Sequence, residues 1–247
     1  MGKEVPREQI IDLFEKARNA QAMCELMLDM DSTGKRIPSQ DRPGLISMAL
    51  ATGKGWATEL RNQYPAGDIE SVAQEMGVKV EISDQPNQVG TMLIRAEYYA
   101  QPPRVIVFRQ SVKVLQDLME RVGLTDLLAP ELIIPIHVVH EIFHHVENLK
   151  KDSLAKRYFV TTFRLGPLRL KSGVRVLTEM GAYAFAQRWL NLDWYPFVID
   201  QIDRLMAEDA ISPVEKWNEL MRKRGLGRIL PRFFSDKDQA GKERRDR

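Results

Sequence analysis

Apolar residues recur at helical spacing over most of the chain and alternate in one short region. Ile10, Ile11, Leu13, Phe14 and Ala17, then Met23, Leu26 and Met27, fall roughly three to four residues apart, and Pro6 stands where a first turn tolerates proline. One helix over about residues 6–30 is predicted. The polar stretch DSTGKRIPSQDRPG holds two prolines and two glycines and predicts a mobile loop. Helices are expected again over 44–62 and 68–77, the second with Asp68 as N-cap and Gly77 as its stop.

The period changes between residues 78 and 108. VKVEIS alternates, TMLIRAEYYA has a short apolar run with aromatics, and RVIVF is a compact β-rich run behind Pro102 and Pro103, so three short strands and a small sheet are expected. QSVKVLQDLMERVG is an amphipathic helix ending at Gly123, and the next helix begins near Pro130 or Pro135. From Ser153 to about Arg224 the chain is predicted to be mostly helical, its last helix bounded by Ser212, Pro213 and Gly225. The tail SDKDQAGKERRDR has no apolar residue but Ala240, too little to offset the entropy of ordering, and is expected to be disordered. These elements add up to an α+β fold, mainly helical. Residues 1–65 form an N-terminal helical extension and loop, 66–195 the core with the small sheet, 196–230 C-terminal helices, and 231–247 the tail.

Composition narrows the function classes. Of 247 residues 44% are hydrophobic and 28% charged, enough for a sizeable core, and the net charge of +2 makes no general case for nucleic acid or an acidic membrane. Such a partner would need a local patch. The basic stretch from Lys156 to Arg188 and the run MRKRGLGRILPRFF are read as solvated faces, so neither partner is expected. The single Cys24 cannot form an internal disulfide or a cysteine zinc cluster, and its apolar neighbours make it a small buried hydrophobe. The first 21 residues carry charges throughout, and no apolar stretch reaches about 18 residues, so a cytoplasmic protein is expected.

All four histidines, His137, His140, His144 and His145, lie in HVVHEIFHHVE, residues 137–147. At about 100° per residue His140 and His144 share one helix face one turn apart, where two imidazoles can converge on one ion. Glu141 then projects toward a water held by that ion without taking a metal position. This is the HExxH pattern, written here HEIFH: two neutral imidazoles fix zinc, zinc brings its water toward a pKa of about 7, and the glutamate takes the proton. His145 points about 100° away from His144 and is supporting structure. Glu147 lies two turns from His140 and is expected to pair with Lys150 or Lys151 on the surface. His137 could be a ligand, a donor behind the ligands or a substrate contact, and a supporting role is preferred.

A third ligand has to come from elsewhere. Between Ser153 and Leu192 the only acidic residue is Glu179, in the apolar run VLTEMGAYAFAQRWL, whose Gly181, Ala182, Ala184 and Ala186 would let that helix approach the histidine helix. A carboxylate on such a face needs a cation, either zinc or a salt bridge to Arg175 or Arg188. Tyr183, Tyr158 and Arg164 are candidate donors to a developing oxyanion.

In these residues the chain resembles the ImmA/IrrE family of zinc metallopeptidases. The resemblance runs from about Asp68 to Leu192, through MGVKVEI, RVIVF, IHVVHEIFHHV and EMGAYAFA, where Glu179, Ala182, Phe185 and Ala186 fit the family's glutamate followed by alanine, aromatic and alanine. It implies a sheet packed on a zincin-like active-site helix, Zn2+ on His140, His144 and Glu179, and Glu141 as general base. It further implies an endopeptidase acting on a protein partner, such as a transcriptional regulator. The family's frequent helix-turn-helix partner domain is not evident. The alternative is a non-catalytic regulatory or binding protein on the same scaffold, with a structural or vestigial metal.

Overall fold

The helix carrying the histidines, Pro130–Lys150, buries Ile133, Ile136, Val138, Val139, Ile142, Phe143 and Val146. That set is too wide for a one-sided amphipathic helix, so the rest of the fold closes around it. The computed structural model describes residues 6–65, 67–89, 92–166 and 168–209. The helix expected between Ser212 and Gly225 and the tail 231–247 lie outside the described residues. The contacts and sites below belong to one unit, Glu4–Ala207, which holds all of α8 but its last two residues.

In chain order, α1 (Arg7–Ala17), α2 (Ala20–Met30), α3 (Arg42–Gln63) and α4 (Ile69–Glu75) are followed by β1 (Lys79–Ser83), β2 (Gln88–Val89), β3 (Met92–Leu93), β4 (Ala96–Ala100) and β5 (Pro103–Phe108). Then come α5 (Arg109–Arg121), α6 (Pro130–Lys150), β6 (Phe159–Leu165), β7 (Leu168–Gly173), α7 (Val176–Leu190) and α8 (Val198–Asp209). The fold is α+β and mainly helical, with a three-stranded sheet in the order β1-β5-β4. β1 runs parallel to β5, and β4 pairs antiparallel with β5, Tyr98 opposite Val105. α6 packs on β4 and β5 on one side and on α7 on another. Pro130 starts α6 at its first turn, and Pro135 is accommodated inside the helix.

Three local expectations change. The predicted helix over 6–30 breaks at Arg18–Asn19, where the Asn19 side chain accepts the amide of Ala22 at 3.0 Å and starts α2. The apolar period continues across the break, which hides it, but a short polar side chain there competes for the helix amides. The stretch expected as a mobile loop is a built turn: Asp31 Oδ1 accepts the amides of Thr33 (2.8 Å) and Gly34 (2.7 Å), and Ile37 is buried. The largest change lies at residues 159–173, where the expected helix is an antiparallel ribbon, β6 with β7. Phe159 to Phe163 are aromatic or β-branched throughout, and FRL and LRL alternate, a strand signal flanked closely by helical ones.

The helices assigned to an N-terminal extension share the core. α3 crosses α7 so closely that a Cβ on Gly53 would stand 2.1 Å from the Gly181 carbonyl oxygen and 3.0 Å from Ala184 Cβ. On the other side of α7, a Cβ on Gly181 would stand 2.7 Å from Phe143 Cζ of α6. The small residues of α7 therefore serve two neighbours. Gly53→Ala should push backbone against backbone and cost about 1–3 kcal/mol in urea unfolding. Gly55→Ala, on the same helix with nothing within 4 Å of the new methyl, should be neutral or stabilise by up to about 1 kcal/mol.

Candidate metal centre

α6 carries His140 and His144 one turn apart, ring centroids separated by 5.1 Å, and α7 brings Glu179 to both. Glu179 Oε2 lies 3.1 Å from His140 Nε2 and 3.9 Å from His144 Nε2. The ligand atoms of His140, Glu141 and His144 also lie within 4.8 Å of one another, a group that could hold a metal ion.

The register that permits this is set further along both helices. Glu147 of α6 accepts the Thr178 hydroxyl at 2.9 Å and the Leu154 amide at 2.8 Å, and Thr178 Oγ1 in turn accepts the Ala155 amide at 3.1 Å. Thr178 immediately precedes Glu179, so this clamp fixes where the Glu179 side chain leaves α7. It corrects the expected surface pairing of Glu147: Lys150 pairs instead with Glu59, at 2.8 Å.

Glu141 and His145, one turn apart, fasten α6 to the edge strand β4. Glu141 Oε2 accepts the Tyr98 amide at 2.9 Å, and the Tyr98 hydroxyl lies 2.8 Å from His145 Nδ1. Burial raises the Glu141 carboxyl to a pKa of about 7; His140 opposes the shift and Glu179 adds to it. Burial would raise Glu179 too, but the hydrogen bond from His140 and the charges of His144, His140 and Arg175 outweigh it and take the group to about 2. Burial lowers His144 to about 4 against the pull of Glu179, which keeps that imidazole neutral. His140 is shifted the other way, because bonding to Glu179 overcomes its burial.

Two imidazoles with carboxylates beside them are a donor set that could hold a metal ion. The Glu179 side chain keeps 44% of its surface open, leaving one side of the group accessible. The salt bridges considered for Glu179 do not form: Arg188 donates to Thr58, and Arg175 acts on Glu179 only through its charge. His137 is held neutral by burial, by Arg95 and by His140, and no hydrogen bond joins it to His140, His144 or Glu179.

α8 closes the site from behind, which the sequence reading missed. The Tyr183 ring lies 4.5 Å from the His140 ring, and its hydroxyl donates to Asp200 at 2.5 Å. One turn on, Asp203 forms a two-pronged pair with buried Arg95. The signal was two acids three apart interrupting the apolar run VIDQIDRLM. Of the other candidate donors, Tyr158 gives its hydroxyl to Asp41, and Arg164 sits on the exposed ribbon, so neither is brought to the histidines. Beside Glu179 opens a cavity of about 310 Å³, walled by Met27, Met30, Val176 and Phe197, with Arg175 and Asp200 also lining it.

No family model, curated protein or solved structure matches the chain. No helix among the described residues is long and apolar enough to cross a membrane.

His144→Ala or Glu179→Ala should weaken zinc binding by more than about a hundredfold in competition with a chromophoric chelator, while His145→Ala should change it less than about tenfold.

Proposed function

We propose that this chain is a zinc-dependent endopeptidase with a zincin-like core of the ImmA/IrrE type, acting on a protein partner. The observation that carries the reading is the meeting of His140 and His144 of α6 with Glu179 of α7, at 3.1 and 3.9 Å, with Glu141 beside them. His140, His144 and Glu179 would hold the ion. Zinc bound there supplies Lewis acidity, which polarises a carbonyl and brings water near a pKa of about 7.

The chain's own residues do the rest. Glu141, placed by the Tyr98 amide beside the two histidines, would take a proton from the attacking water and return it to the leaving amine. Tyr183 and Asp200 orient the His140 ring from behind. The cavity shares Glu179 with the metal centre, and its Met27, Met30, Val176 and Phe197 walls suit an apolar side chain next to the bond to be cut. A transcriptional regulator is the kind of partner that the family resemblance implies.

Glu141→Gln keeps the shape and removes the base. It should bind zinc as the parent does and lower the cleavage rate of a mixed peptide library by about 10²–10⁴-fold. Undiminished cleavage contradicts the assigned base. A zinc-loaded parent that cleaves no peptide in the library supports a non-catalytic scaffold instead.

A further inference from the structure

The ribbon β6–β7 is held at its base, where Arg36 Nη1 donates to the Thr161 carbonyl at 2.9 Å and the Val174 amide to the Ala155 carbonyl at 2.9 Å. Beyond the irregularity between Thr161 and Phe163, the two strands sort their side chains by face. Phe163 stands opposite Leu170 and Leu165 opposite Leu168, while Arg164 stands opposite Arg169 on the other face. The four apolar residues are all exposed, from 50% at Phe163 to 66% at Leu165. A single exposed leucine is ordinary, but four neighbouring ones of this size form a patch that needs an occupant.

The charges narrow what that occupant is. Like charges directly across an antiparallel pair repel, and Arg164, Arg169 and Lys171 make no ion pair among the described residues. From Ser153 to Thr178 the chain has Lys156, Arg157, Arg164, Arg169, Lys171 and Arg175 and no acid, and of these Arg157 is paired, with Asp152. A second copy packed on the apolar face would leave the cations of both copies on the outer faces with no partner. A nucleic acid would meet the cations and leave the apolar quartet in water. A folded protein would be read through shape and hydrogen bonds, and apart from its cations the outer ribbon offers few polar side chains. A bilayer with anionic headgroups supplies both the apolar interior and the negative surface in one insertion.

We propose that the β6–β7 ribbon docks the protein on an anionic lipid bilayer. Phe163, Leu165, Leu168 and Leu170 enter the boundary between headgroups and acyl chains, and Arg164, Arg169 and Lys171 meet the phosphates. The net charge of +2 conceals this, because the basic patch is local. The proposal runs against the expectation of no membrane partner and does not depend on any catalytic activity.

The test uses the full chain with sedimented vesicles of phosphatidylcholine alone or with about a third phosphatidylserine. The parent should bind the anionic vesicles at low salt and leave the neutral ones in solution. Binding should fall at least about tenfold in the double variant Leu165→Glu/Leu168→Glu, in Arg164→Glu/Arg169→Glu, and in about 0.5 M salt. All four positions are exposed, so far-ultraviolet dichroism and melting should match the parent. Because Cys24 is buried, Leu168→Cys places one accessible thiol on the ribbon. A polarity-sensitive dye there should shift to the blue on anionic vesicles, and the same dye on exposed Asn62→Cys should not. No binding to anionic vesicles at low salt, or binding that both double variants retain, overturns the proposal. Tighter binding to duplex DNA, lost in the arginine variant and kept in the leucine variant, also overturns it and assigns the ribbon to nucleic acid.

Discussion

Two imidazoles and a carboxylate on different helices meet only if those helices are held in one register, and the hydrogen bond from Thr178 to Glu147 holds it. Glu147 lies one turn beyond Phe143, the ring against which Gly181 of α7 packs, so the polar clamp and the close apolar crossing lock the same pair of helices. Slippage of α7 by one residue would turn Glu179 about 100° away from both histidines. Gly53 presses α7 from the far side through the Gly181 carbonyl, so the candidate metal centre also depends on α3, a helix that carries none of its proposed ligands.

A second set of contacts runs from α6 to the sheet. Glu141 and His145 both reach Tyr98 of β4, one at the amide and one at the hydroxyl. The residue proposed as the base is therefore placed by the edge strand, while the proposed ligands are placed by α7. Burial pushes Glu141 toward neutrality in the same cleft where the imidazoles pull Glu179 far down. Two carboxyl groups of one cleft are thus shifted in opposite directions, because one has a hydrogen-bonding imidazole and the other has a single backbone amide.

The parts of this site that were legible in the sequence were those written in helical period or in scarcity. His140 and His144 share a face by spacing alone, and Glu179 stood out as the one acid in a long basic stretch. The sheet was legible because VKVEIS alternates and RVIVF is a β-rich run set off by Pro102 and Pro103. Contacts between distant segments were not: nothing near Glu147 announces Thr178, 31 positions on, and nothing in α3 announces that Gly53 faces Gly181. The ribbon was misassigned because leucine and arginine are also good helix formers, and its alternation is brief beside the helices that flank it. Asp200 and Asp203 could have been noticed as acids on an apolar face, but their partners, Tyr183 and Arg95, come from separate elements.

We propose that one ion sits between α6 and α7 on His140, His144 and Glu179. X-ray absorption at the zinc edge of the zinc-loaded protein tests it most directly. Two imidazole nitrogens with the remaining ligands oxygen are expected, and a spectrum in which Glu179→Ala changes the oxygen shell while both imidazoles stay. Three imidazoles, zinc without histidine, or a spectrum indifferent to Glu179 would contradict it.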